Sequence, residues 1–261
     1  MGEKPTIRVL RHLARSGGTM IARCLASMKG VALLSEVHPR AMRVTNPVWQ
    51  AQEWLALISK GERVRLERPG ASFVEFVTLC EERARAKGRS LVIREWSHID
   101  YVGVPYAVPT MRPVLHDVLA PSFEIVETAS VRHPLDQWLS FNDLDVIRGN
   151  VTLEAYLRGF VAFSEEAVRV GFVRFEDLTR EPDSTLRTLC ERLRLDFDPS
   201  YRTKWFAFKN VTGDRPELES RGSGRRDIKP LARRHADPAI VERLRASEDY
   251  QRACALLGYE P

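Results

Sequence analysis

Apolar residues gather in five short runs along the chain: "IRVLRHL" from Ile7, "VALLS" from Val31, "SLVIRE" from Ser90, "FEIVETASV" from Phe123 and "VGFVRF" from Val170. Each is β-rich and almost continuously apolar, the pattern of strands covered on both faces of a parallel sheet. Between them the spacing becomes helical. Ile21, Cys24, Leu25 and Met28 recur on one face after "RSGGT", and Leu186, Leu189, Cys190 and Leu193 do so after Pro182. "DPAIVERLRASEDYQRACALLGYEP" reads as a further helical stretch that opens on Asp-Pro and closes near Gly258. Strands alternating with helices predict an α/β fold, a central parallel sheet flanked by helices.

Two stretches break that rhythm. Residues 39–75 carry Trp49, Trp54 and the charged run "SKGERVRLERPG", and predict an acceptor-side insert. Residues 207–236 are polar and basic, with seven arginines and lysines against three acids between 215 and 234. The whole chain has 261 residues and a formal charge of only +5, so this segment holds most of the surplus. A surplus of that size suits a small anionic ligand and does not call for nucleic acid. One domain spanning 1–261 is expected. The four cysteines are scattered with no CxxC pair, no apolar run approaches the ~20 residues of a membrane span, and "MGEKPTIRVL" has no signal-peptide core. A cytoplasmic chain, not attached to a membrane, is the expectation. Oligomeric state is not legible.

The first run leads into "LARSGGTM", residues 13–20. A strand that passes through glycines into a helix aims backbone N–H groups and the positive end of the helix dipole at one point. Gly17 and Gly18 permit close approach, Ser16 and Thr19 offer hydroxyls, Met20 a further N–H, and Arg15 a fixed fork of donors. The turn lacks the spacing and lysine of GxxxxGK[ST], and GxGxxG is also absent. An ordinary strand-to-helix turn of small residues is the alternative. A second segment, "SVRHPLDQWLSF", places Arg132 where the fourth run ends and Ser140 about two helical turns further on, so both can share a phosphate. The alternative there is a surface arginine beside an N-terminal helix proline.

"RSGGT", "VRHPLDQWLSF" and "VRFEDLTREPDSTLRTLCERLRLDFDP", in that order, resemble the sulfotransferase family over about residues 7–235. The resemblance implies a P-loop-like α/β fold and the donor 3′-phosphoadenosine 5′-phosphosulfate (PAPS), with adenosine 3′,5′-bisphosphate as product and no metal. The first motif is similar to the 5′-phosphosulfate loop of that family, and Arg15 stands where cytosolic members have lysine. The second is similar to its 3′-phosphate motif at Arg132 and Ser140. The third matches its "YEDL" segment except that Phe175 replaces the tyrosine. Arg221 and Gly222, with Arg225 and Arg226 as alternates, are the loose counterpart of its C-terminal "RKG" element.

Two base candidates stand at predicted strand ends. His98 resembles the histidine of the cytosolic "KTH" motif and ranks first; Glu36 resembles the glutamate base of some bacterial carbohydrate and tyrosylprotein members. His38 is two residues beyond Glu36. Arg15, unable to give up a proton readily, has an electrostatic role. Trp49, Trp54, Phe73, Phe76, Trp96, Tyr101, Tyr106 and Phe141 are candidates for lining an apolar acceptor pocket or for the core. A small-molecule or carbohydrate hydroxyl acceptor is expected. A phosphotransferase of related fold and a non-catalytic module binding nucleotide or nucleic acid are the rival readings.

Overall fold

The computed structural model describes residues 3–213 and 226–261. Five strands form its sheet: β1 (Thr6–His12), β2 (Val31–Val37), β3 (Ser90–Glu95), β4 (Glu124–Val131) and β5 (Phe172–Arg174). Their order is β2-β3-β1-β4-β5 and every neighbouring pair is parallel. The expected α/β architecture is therefore the observed one. With β1 between β3 and β4, the loops that leave the carboxyl ends of β1, β2, β3 and β4 come together, where open α/β sheets bind ligands.

Alternation along each strand sends side chains to opposite layers. Leu10, Leu33 and Val92 pack under the helices Gly18–Ala26 and Pro182–Arg192, with Ile21, Leu25, Leu186 and Leu189. Val9, Leu34 and Ile93 pack on the other face against Phe76 and Val77 of the helix Phe73–Ala86. A third cluster joins the helices Pro134–Asn142, Leu153–Val170 and Glu248–Leu257 through Phe141, Tyr156, Phe160 and Leu257.

Several elements differ from the sequence reading. The run at Val170 yields only a three-residue strand, because Val170 ends a helix and Phe175 begins the next. The C-terminal stretch is two helices, Pro238–Arg245 and Glu248–Leu257, since the Ser247 side chain accepts from Tyr250 N–H and caps a new start. The longest helix, Leu153–Val170, has a plain amphipathic pattern and a Thr152 cap that the reading did not use. Residues 39–75 contain the short helices Met42–Thr45, Pro47–Glu53 and Lys60–Leu66, and Val48, Ala51, Leu55, Leu57 and Leu66 are core residues on the Phe73–Ala86 side.

Beneath the carboxyl ends of the strands lies a buried ion network. Arg11 of β1 reaches Glu95 of β3 at 2.7 Å and Glu127 of β4 at 2.6 Å, and Glu166 of the helix Leu153–Val170 at 3.6 Å. Burial alone would lower the Arg11 pKa; the charges of Glu95 and Glu127 outweigh it and raise it. The network ties three strands and a helix at the level where the site loops depart.

Candidate active site

The turn after β1 is built by left-handed backbone. Arg15 has φ 70° and Gly17 φ 87°. A Cβ on Gly17 would lie 2.1 Å from the Phe175 ring, and one on Gly18 would lie 2.6 Å from the His12 imidazole. Only glycine fits at both places, so the loop is packed tightly between the end of β1 and Phe175. Gly18 then opens the helix Gly18–Ala26, whose first amides have no acceptor inside the helix. Met20 N–H differs: it turns back to Gly17 O at 3.0 Å. Ser16 is fully buried, and its Oγ has no hydrogen-bond partner among the described residues.

The two anion motifs meet. Arg15 Nε donates to Ser140 Oγ at 2.8 Å, and Arg132 Nη1 donates to Arg15 O at 3.3 Å. Arg132 also lies over the Phe175 ring, 5.3 Å from its centroid. Phenylalanine thus serves as the wall between Gly17 and Arg132. Burial lowers the pKa of Arg132, partly offset by Asp136 and Glu176. As an arginine it stays charged, and a desolvated cation gains most from a bound anion.

These groups line a cavity of about 510 Å³, together with Gly17, Gly18, Thr19, Met20, Glu36, Arg94 and Arg234. A second cavity of about 310 Å³ shares Arg132, Phe175, Leu231 and Ala232 with it and adds Arg174 and Arg233. Arg221, Gly222 and Arg225 lie outside the described residues. Arg226 stacks over Phe206 at 5.7 Å. Among the described residues of this segment, Arg233 and Arg234 are the arginines that line the cavities. They are fixed by the helix Pro134–Asn142 and its end: Arg233 stands 4.0 Å from Asp136, Arg234 N–H donates to Asp136, and Arg234 pairs with Asp143.

The base candidates part company here. A bulge between Ser35 and Val37 interrupts the β2–β3 ladder, and Glu36 sits in it with φ 54°. The bulge turns its carboxylate onto the cavity wall, 3.3 Å from Arg94 Nη2. His98, at the start of the short helix His98–Tyr101, is buried and is not on that wall. Its Nε2–H donates to Val104 O at 2.8 Å, which leaves Nδ1 as a buried acceptor with no partner among the described residues. Trp96, Tyr106 and Phe141 surround the ring. Burial holds the His98 pKa below its ordinary value, so the ring is neutral near pH 7. His38 is also buried: Nδ1 accepts from Arg40 N–H, and Nε2 faces Asp100 at 3.2 Å. It anchors a loop.

Of the aromatic candidates, Phe76, Tyr101 and Phe141 are core residues, and Trp54 and Phe73 pack against the core. Trp96 and Tyr106, ring centroids 4.9 Å apart, remain beside His98. Arg94 and His12 are site residues that the sequence reading missed. Their signal was present, an arginine and a histidine inside otherwise apolar strands. Among the described residues no cluster of His, Cys, Asp or Glu is placed to hold a metal ion, and no helix is long and apolar enough to cross a membrane.

No protein-family model matches the sequence, and no curated protein matches it either. Solved structures do match. The sulfotransferase domain from the curacin biosynthetic pathway superposes with a TM-score of 0.69 at 17% identity, covering 99% of both chains. The fold is that of the sulfotransferase domains. A second one, from the Synechococcus PCC 7002 olefin synthase, superposes with a TM-score of 0.67 at 17% identity over 100% of this chain and 97% of that one. In this sulfotransferase fold the glycine turn after β1 and the Arg132–Ser140 segment after β4 flank the same opening of the sheet.

Proposed function

We propose that the protein is a sulfotransferase that moves a sulfuryl group from PAPS to a hydroxyl of a small-molecule or carbohydrate acceptor. One observation carries this reading. Arg15 of the first motif and Ser140 of the second, distant in sequence, are hydrogen-bonded on the wall of one cavity that also presents a carboxylate, Glu36. The residues suit an anionic donor. Arg15, Arg132 and Arg234 converge on the cavity, and two glycines bring backbone close where any side chain would collide. The helix Gly18–Ala26 directs its N-terminal dipole there.

Arg15 and the amides of Gly17, Gly18 and Thr19 hold the phosphosulfate end. Arg132 and Ser140 hold the 3′-phosphate, with Arg233 and Arg234 alongside. Bound there, the donor supplies a sulfuryl group already attached to a phosphate leaving group. Arg15 stabilises charge on that leaving group, an electrostatic contribution of the kind that dominates in-line transfer. Glu36, on the wall, takes the acceptor's proton; neutral His98 lies behind Trp96 and Tyr106 and supports them from the buried side. The four cysteines are all buried and free, which supports a reducing, cytoplasmic setting.

Thermal unfolding with added ligands tests the reading. Adenosine 3′,5′-bisphosphate is expected to raise Tm, by about 2.7 kcal/mol of stability at a hundredfold excess over Kd, whereas ATP and an oligonucleotide are not. Stabilisation by the oligonucleotide alone would favour a nucleic-acid module. Transfer of labelled sulfuryl from PAPS to a panel of alcohols then identifies the acceptor.

A further inference from the structure

Arg94 lies next to the carboxyl end of β3 and is 2% exposed, yet it forms part of the cavity wall. A guanidinium has five N–H donors in a fixed plane, and among the described residues five acceptors face this one. Nε donates to His12 Nε2 at 2.7 Å. Nη1 donates to Ser35 Oγ at 2.9 Å and Thr212 O at 3.2 Å. Nη2 donates to Thr19 Oγ1 at 3.2 Å and Glu36 Oε1 at 3.3 Å. These acceptors come from four separate pieces of chain: the end of β1, the glycine turn, the bulge of β2 and the segment before residue 214.

The acceptor on β1 fixes the plane. Because His12 Nε2 accepts from Arg94, its proton sits on Nδ1, which donates to Leu13 O at 3.1 Å. Burial, and then the Arg94 charge, push the His12 pKa well below its ordinary value, so the ring stays a neutral acceptor. Ser35 Oγ in turn accepts from Thr212 N–H at 3.1 Å. With Nε and Nη1 so placed, the two N–H groups of Nη2 face the hydroxyl of the donor loop and the carboxylate on the bulge.

We propose that Arg94 is the positioning residue of the transfer: one buried guanidinium holds the donor-loop hydroxyl of Thr19 and the Glu36 carboxylate at a fixed separation, so that base and donor loop are set by the same group. This rests on the sulfotransferase reading above. The left-handed backbone at Glu36 points its carboxylate to Arg94 Nη2 at 3.3 Å. Lysine cannot replace it, since a single ammonium has three donors at one point instead of a planar fork.

The test has an arm that needs no turnover. In protein labelled with ¹⁵N-arginine, the Arg94 Nη resonances should shift in both Glu36→Gln and Thr19→Val, and stay unchanged in Ser140→Ala, which touches Arg15 instead. Unchanged Arg94 resonances in the first two variants would overturn the proposal. In the kinetic arm, Arg94→Gln should lower kcat about 10²-fold, as for loss of a preorganised donor, with the acceptor KM and the affinity for adenosine 3′,5′-bisphosphate within about threefold. Adding Glu36→Gln to that variant should cost much less than it does in the wild type, the non-additivity of residues that act as a unit. Equal cost of Glu36→Gln in both backgrounds, or wild-type kcat in Arg94→Gln, also overturns it. Arg94→Lys, which keeps the charge, covers the case in which the glutamine variant fails to fold; it should show the same loss of kcat with bisphosphate binding retained. If the wild type neither binds the bisphosphate nor transfers sulfuryl, the sulfotransferase reading fails, while the resonance arm still decides whether Arg94 joins Thr19 to Glu36.

Discussion

The Arg15 side chain donates to the Ser140 hydroxyl at 2.8 Å, joining the turn after β1 to the helix Pro134–Asn142 across 125 residues of sequence. The bond makes one cavity wall of the turn after β1 and the helix after β4. Arg132 reinforces it from the same side by donating to the Arg15 carbonyl.

Arg132→Ala should therefore weaken binding of adenosine 3′,5′-bisphosphate about 10–100-fold, the range for removing a hydrogen bond to a charged group. Isothermal titration of the variant measures it. Wild-type affinity would remove Arg132 from the donor site.

The two base candidates separate by kinetics. Glu36→Gln keeps the shape of the cavity wall and should lower kcat by about 10²-fold or more, the usual size of general-base help. His98→Ala should raise the acceptor KM more than it lowers kcat, because the ring stands behind the wall. Normal turnover in Glu36→Gln with a silent His98→Ala enzyme would give the proton to His98.

Gly18→Ala places a methyl group within 2.6 Å of the His12 imidazole, which is buried and bonded to Arg94. The ring cannot move without breaking that bond. A loss of about 1–3 kcal/mol of stability is expected from overpacking, together with loss of stabilisation by the bisphosphate. Calorimetry with and without ligand reads both effects; an unchanged ligand shift would show that the loop does not hold the anion.

Stability should fall in mild acid. Burial holds His12, His98 and His133 below the ordinary histidine pKa of 6.5 in the fold. Below pH 6.5 the unfolded chain takes up protons that the folded chain refuses. Each histidine then costs up to about 1.4 kcal/mol per pH unit until its own folded pKa is reached. Glu95, raised first by burial, works in the opposite direction: its contribution is present below the ordinary carboxylate pKa and lost as pH rises through the raised one. Denaturant midpoints at pH 7.5, 6.5 and 5.5 should decline in that order. A flat profile would mean that the three rings are not held neutral.

Local pattern sufficed for much of this protein. Largely apolar runs placed β1 to β4 to within a residue or two, since a strand buried on both faces favours apolar side chains at successive positions. Glycines after the first run marked the tight turn after β1, because a Cβ at either Gly17 or Gly18 would collide with its neighbours. Arg132 and Ser140 were legible as a pair because one short segment carries both. Arg94 was not: within a strand its partners lie on β1, on β2 and in the turn, and which strands adjoin it depends on the order β2-β3-β1-β4. The same holds for Glu36 over His98. Both stand at strand ends in the sequence, and a single bulge in β2, set by pairing with β3, turns one onto the cavity wall while the other is covered by Trp96, Tyr106 and Phe141. Sequence by itself determined the elements and the glycine turn, which rest on backbone freedom and on burial along one segment; tertiary structure alone decided which charged side chains meet, because their contacts form between segments whose neighbours are chosen by the sheet.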